Sequence, residues 1–163
     1  SGKNSLSANT KTAGANSGYA LDLGFDLGGA AVNVAVGGST AKAAGVKNST
    51  AMGIEASYPA TDAWTVTAGA SAGTLVGVEV DNMFVTAAYA MDADTTLSLG
   101  YSSKDNTEAN QTVIDEERLT TVNVSRSLGG GVSIFAEYAS ADYDTAGTGS
   151  SGSSVALGTV VSF

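Results

Sequence analysis

Apolar and polar residues alternate one by one along most of this chain. That period of two constrains the fold more than any other feature. The last nine residues show it plainly. Val155, Leu157, Thr159, Val161 and Phe163 share one parity, apolar apart from the Thr, while Ala156, Gly158, Val160 and Ser162 take the other. Successive side chains of an extended strand point to opposite faces, so the segment reads as a β-strand with one apolar face. It runs to an aromatic carboxy terminus, and chain ends fray unless something holds them.

The same alternation recurs upstream. Tyr19, Leu21, Leu23, Phe25 and Leu27 oppose Asp22, Gly24 and Asp26. Val32, Val34 and Val36 follow, then Met52, Ile54, Ala56 and Tyr58, then Trp64, Val66, Ala68 and Ala70. Met83, Val85, Ala87 and Tyr89 continue the pattern, as do Leu97, Leu99 and Tyr101, residues 118–128, and Val132, Ile134, Ala136 and Tyr138. The count predicts about nine strands of about nine to eleven residues, a length that suits a tilted strand crossing a bilayer. Gly28-Gly29, Pro59-Ala60-Thr61-Asp62, Asp92-Ala93-Asp94 and Gly129-Gly130-Gly131 are turn signals. Polar stretches near residues 39–48, 103–116 and 141–153 predict longer loops. Residues 71–81 read either as a loop running into a strand near residues 78–91 or, through Val76, Val78 and Val80, as the start of that strand. Short and long connections are expected to alternate.

Composition excludes several classes. Gly at 21 residues and Pro at 1 disfavour helices and suit continuous hydrogen-bonded strands. No apolar run approaches the roughly 18 residues of a membrane helix. Charged residues make up 14 % of the chain, low beside the about 25 % of a typical soluble protein. The net charge of −9 and the lack of a basic patch argue against nucleic acid. Cys and His are both absent, which removes disulfides, Cys-based metal sites and Ser-His catalysis. No cofactor and no enzyme activity are expected. The chain opens at Ser1 and reads as processed, trimmed or cut.

The polar parity carries Asp22, Asp26, Asn33, Glu55, Ser98, Asn123 and Glu137. In a sandwich these would form the solvated face, and in a barrel they would line a wet lumen. The aromatics fall at strand ends. Tyr19, Tyr101 and Tyr138 lie beside the expected long loops, and Phe25, Tyr58, Trp64, Tyr89 and Phe163 lie on the short-turn side. Two such belts separated by aliphatic residues match the two interfaces of a membrane. Arg118 and Arg126 share parity with Val122 and Val124. Either they snorkel from strand ends, or a bulge turns one of them inward.

The segments Gly18-Tyr19-Ala20-Leu21-Asp22-Leu23-Gly24-Phe25, Ser133-Ile134-Phe135-Ala136-Glu137-Tyr138 and Val155 to Phe163 resemble the C-terminal part of a Gram-negative outer-membrane porin. The likeness is to the acidic, Gly-rich general porins of alphaproteobacteria, and it covers residues 18–163. It implies an all-β, antiparallel up-and-down transmembrane β-barrel of about 16 strands. It also implies a terminal Phe read by the assembly machinery, a water-filled channel for ions and small hydrophilic solutes, and a homotrimer in outer-membrane lipid. With Phe163 periplasmic, about nine strands place residues 1–17 in an external loop. Residues 18–163 are then the closing strands of a larger barrel, whose missing N-terminal half would hold the constricting loop. The alternative is a complete barrel of about eight or ten strands with one strand miscounted, residues 4–12 being too polar for a clear strand but able to form an irregular one. Asp22, Asp26, Glu55 and Glu137 would bias the lumen toward cations.

Other chemistry has weaker support. Asp105, Glu108, Asp115, Glu116 and Glu117, or Asp142 and Asp144, could offer oxygens to calcium, but no EF-hand spacing is present. A solvated acidic loop is the simpler reading. Gly129-Gly130-Gly131 lacks the Lys and the helix of a phosphate loop. A competing function is a secreted or cell-surface structural β protein, such as an adhesin or a surface-layer or fibre subunit. A small complete non-conducting barrel is another.

Overall fold

The computed structural model describes residues 5–13, 16–41, 48–75, 77–108, 113–145 and 147–162. They form ten strands: β1 (Ser5–Ala13), β2 (Asn16–Leu27), β3 (Ala30–Ala41), β4 (Ser49–Pro59), β5 (Trp64–Leu75), β6 (Val78–Ala90), β7 (Thr95–Glu108), β8 (Val113–Gly129), β9 (Val132–Thr145) and β10 (Thr148–Val161). All lie in one sheet, in sequence order. Each strand pairs antiparallel with the next. This is the up-and-down arrangement that the alternation predicts. Among the described residues β1 and β10 do not pair with each other, so the ten-stranded sheet is open.

The strand beyond the nine expected is β1. It lies within residues 1–17, the stretch expected as external loop. Its side chains show no apolar period. What makes it a strand is backbone pairing with β2, in register from Ser5↔Gly24 to Ala13↔Asn16. The even count has a consequence for polarity, because the start of β1 and the finish of β10 then lie at the same end of the sheet.

The four short turns stand where their residues predict. Gly28 and Gly29 have φ of 60° and 91°, the left-handed pair that a two-residue hairpin needs. The expected long loops are mostly strand instead. β5 and β6 are separated only by residues 76–77, β7 and β8 by 109–112, and β9 and β10 by 146–147. Strands therefore run up to 17 residues in β8, beyond the about eleven expected, and connection length does not alternate strictly. In residues 103–108 and 148–154 both faces are polar and no apolar period marks them, yet their backbones stay paired, whereas the β5–β6 extension carries Leu75, Val78 and Val80.

The register collects the apolar parity of every strand from β2 to β10 onto one face. One row reads Tyr58↔Val66↔Ala87↔Leu99↔Val122↔Tyr138↔Val155. The opposite face is polar. No side chain among the described residues is fully buried, and Val32, 9 % exposed, is the one buried apolar residue. Leu157, Val155 and Met52 are 79 %, 73 % and 63 % exposed. The chain presents 10663 Å² to its surroundings, against about 7,400 Å² for a globular monomer of its mass. Among the described residues there is no second layer. An apolar face this extensive requires a cover.

Rows do not meet all strands at the same height. Tyr58 is the last residue but one of β4, whereas Tyr138 stands in the middle of β9. Such stagger is the signature of strands tilted to the axis of a barrel. For a tilt of about 40°, a row crossing five strand spacings climbs about 15 Å.

Candidate functional site

The polar face is the candidate site. Every residue expected to line a pore projects from it by register. The register brings them together as two groups. Asn33 stands directly across from Glu55, with Asp22 two residues further along β2 from the neighbour of Asn33 and Asp26 on the other side. Ser98, Asn123 and Glu137 share one row, and Asn123 Nδ2 donates to Glu137 Oε2 at 3.4 Å. Between the groups stand the polar-face residues of β5 and β6, among them Ser71, Asn82 and Phe84. Thr67 Oγ1 donates to Ser57 Oγ at 3.0 Å, and Asn82 Nδ2 donates to Ser71 Oγ at 3.2 Å. These cross-strand bonds fix side chains that the sequence pattern left unremarked.

An aromatic residue on this face also escapes the parity argument. A Cβ built on Gly69 would lie 2.5 Å from Phe84 Cε1. The Phe84 ring therefore lies across Gly69, which faces it on β5. Phe135 covers Gly158 in the same way. The available signal was an aromatic paired with a glycine across a strand, which only the register discloses.

The apolar face carries the expected aromatics. Trp64 and Tyr89 are paired in register and stack with ring centroids 4.8 Å apart and planes at 28°. Tyr58 stands near the same end. Tyr19, Tyr101 and Tyr138 belong to rows that stagger carries toward the opposite rim. Phe163 lies outside the described residues.

Arg118 and Arg126 keep the parity of the apolar face. The register of β8 shifts between Ser127 and Gly129 and, opposite Asn106 and Thr107, between Val113 and Asp115, both outside the stretch from Arg118 to Arg126, so neither Arg is turned inward. Arg126 Nη1 donates to Thr95 Oγ1 at 2.9 Å and lies 3.5 Å from Asp92 Oδ2. The Asp92 carboxylate accepts the Asp94 backbone N–H at 2.9 Å. That bond, then the Thr95 hydroxyl and, less, Arg126, hold its carboxyl below the usual range. Arg118 Nη2 pairs with Glu116 Oε2 at 2.8 Å. Both Arg are about half exposed, as rim residues with apolar stems can be.

The acidic residues considered for calcium lie on strands, not loops. Asp105 is on β7, Asp115, Glu116 and Glu117 on β8, and Asp142 and Asp144 on β9. Among the described residues no group of three carboxylates is placed to hold a metal ion.

The fold recurs in solved outer-membrane proteins. The outer membrane channel DcaP of Acinetobacter baumannii is similar with a TM-score of 0.76 at 14 % identity, over 94 % of this chain and 55 % of that one. A loop-deletion form of OmpT, an outer membrane protein of Vibrio cholerae, gives 0.68 at 15 % identity, over 93 % and 61 %. OmpT in its trimer form gives 0.67 at 14 %, over 88 % and 54 %. At such identities the likeness is one of fold. This chain spans about half to three-fifths of the length of those barrels. No curated protein matches the sequence. The sequence model described as Gram-negative porin matches residues 1–146. The fold and the match together place the protein in the bacterial outer membrane. The chain belongs to the Gram-negative porin family.

Proposed function

We propose that the ten strands form part of the wall of a water-filled channel through which ions and small hydrophilic solutes diffuse passively. The observation that carries this is the segregation of a coreless sheet into two faces. The apolar face meets lipid, and the face of Asp22, Asp26, Asn33, Glu55, Ser98, Asn123 and Glu137 lines the lumen. Its carboxylates favour cations by focusing a negative potential on the pore. The match to the Gram-negative porin family supports a channel over a catalyst.

The open sheet and the fraction of each neighbour it spans support a wall completed by further strands, from the same polypeptide or a second chain. Assembly as a homotrimer in outer-membrane lipid is supported by the trimer form of OmpT. The test is conductance in a planar bilayer across a KCl gradient. The expected result is a steady ohmic current with a reversal potential of cation sign. A protein that inserts and passes no current sinks the channel reading. An anion-sign potential sinks the lumen assignment.

A further inference from the structure

We infer that the β2–β6 part of the polar face holds a subsite for small organic cations, an ammonium or guanidinium on a short aliphatic chain. This rests on the polar face being the lumen, and it names a solute class for that face.

The register builds the subsite. One row reads Asp22↔Ala35↔Gly53↔Ser71↔Asn82, and the next on that face reads Asn33↔Glu55↔Gly69↔Phe84. Ala35 and Gly53 make a floor nearly free of side chains, and Phe84 covers Gly69 beside it. Around it stand Asp22, Asn33, Glu55, Phe84 and the Ser71–Asn82 hydrogen-bonded pair. The open concavity between them measures about 330 Å³.

Phe84 is what separates this from a simple acidic patch. Its ring lies over Gly69, which stands directly across from Glu55 on β4. The ring therefore lies beside the strand that carries Glu55. Two carboxylates and an amide oxygen supply charge-assisted acceptors for N–H donors. The ring and the bare floor supply a surface for methylene groups and a face for the cation. A hydrated metal ion has no use for that surface. A neutral sugar would leave the carboxylates uncompensated.

The probe is n-butylammonium chloride, with ammonium chloride as its partner of equal charge. Both are added to the reconstituted porin carrying KCl current in planar bilayers. Butylammonium is expected to slow the current at a concentration about tenfold lower than ammonium does, a ratio set by the apolar contact and the cation–π attraction. Glu55→Gln raises the blocking concentration of butylammonium about tenfold, the loss of one charge-assisted bond. Phe84→Leu lowers the butylammonium-to-ammonium preference about threefold. Glu55→Asp, which keeps the charge, restores part of the block. Ser133→Ala, far along the same face, changes none of these values. Equal block by the two salts, or block unchanged in both Glu55→Gln and Phe84→Leu, overturns the subsite. If KCl current is absent from every protein, the channel reading fails and the subsite is read separately. Calorimetric titration of butylammonium into detergent-refolded protein then supports it if the heat is lost in Glu55→Gln, and overturns it if no heat appears.

Discussion

The two ends of the sheet are built on different principles. At the short-turn end, connections close through local bonds. Thr61 Oγ1 accepts the N–H groups of Ala63 and Trp64 at 3.2 and 3.1 Å. Asp92 accepts from Asp94, and Arg126 ties the β6–β7 turn to β8. Trp64 and Tyr89 stack above. At the opposite end the strands run on past the apolar band. There Asp81, Asp105, Glu116 and Asp144 stand side by side across β6 to β9. Like charges directly opposite each other repel. At the acidic end Arg118 pairs with Glu116 at 2.8 Å and Asp144 Oδ1 accepts the Gly147 N–H at 2.8 Å, and the like charges of the row still face one another. Between the two ends lies a band whose stability comes from lipid.

The largest test contrasts the band with a rim. Val124→Lys, in the band, is expected to cost about 2–4 kcal/mol, and Thr120→Lys, in the row of Tyr101, about 0–1 kcal/mol. Urea unfolding of bilayer-folded protein measures both, and equal costs would break the assignment of the band. The aromatic stack should show a coupling of about 0.5–1.5 kcal/mol in a Trp64→Ala and Tyr89→Ala double-mutant cycle. At the acidic rim, Asp105→Asn should stabilise by about 0.2–1 kcal/mol. That gain should fade as salt is raised from 0.01 to about 0.15 M, where screening reaches about 8 Å. A gain independent of salt would mean that the row is not repulsive.

The subtlest contrast concerns Asp92, whose carboxyl is held low by hydrogen bonds. A depressed folded-state pKa contributes stability above the unfolded value of about 3.9 and loses it as pH falls through the folded value. The stability gap between the native chain and Asp92→Asn should therefore be flat near neutrality and close below about pH 4.

Much of this was legible in the residues. The faces, the short turns at Gly28, Pro59, Asp92 and Gly130, and the aromatic ends at Tyr58, Trp64 and Tyr89 all follow from parity and turn chemistry. The polar extensions were not. Residues 103–108 and 141–145 read as loop because they are mostly polar on both faces, residues 71–75 read as a loop running into β6, and residues 4–12 are too polar to mark β1 as more than an irregular strand. Backbone pairing requires no apolar side chain when water covers both faces. The positions of Arg118 and Arg126 were left open between two readings, since a bulge is a backbone event that composition does not mark.

What the sequence determined by itself is which side chains share a face, because the strand period of two is a property of the local backbone. Pairing partners are a property of two strands at once, and only the tertiary structure decided them. Register set the stagger that sends Tyr58 and Tyr138 of one row toward opposite rims. It also laid Phe84 over Gly69 beside Glu55. A one-residue slip along β6 would have turned that ring to the lipid face, because neighbouring positions on a strand point in opposite directions.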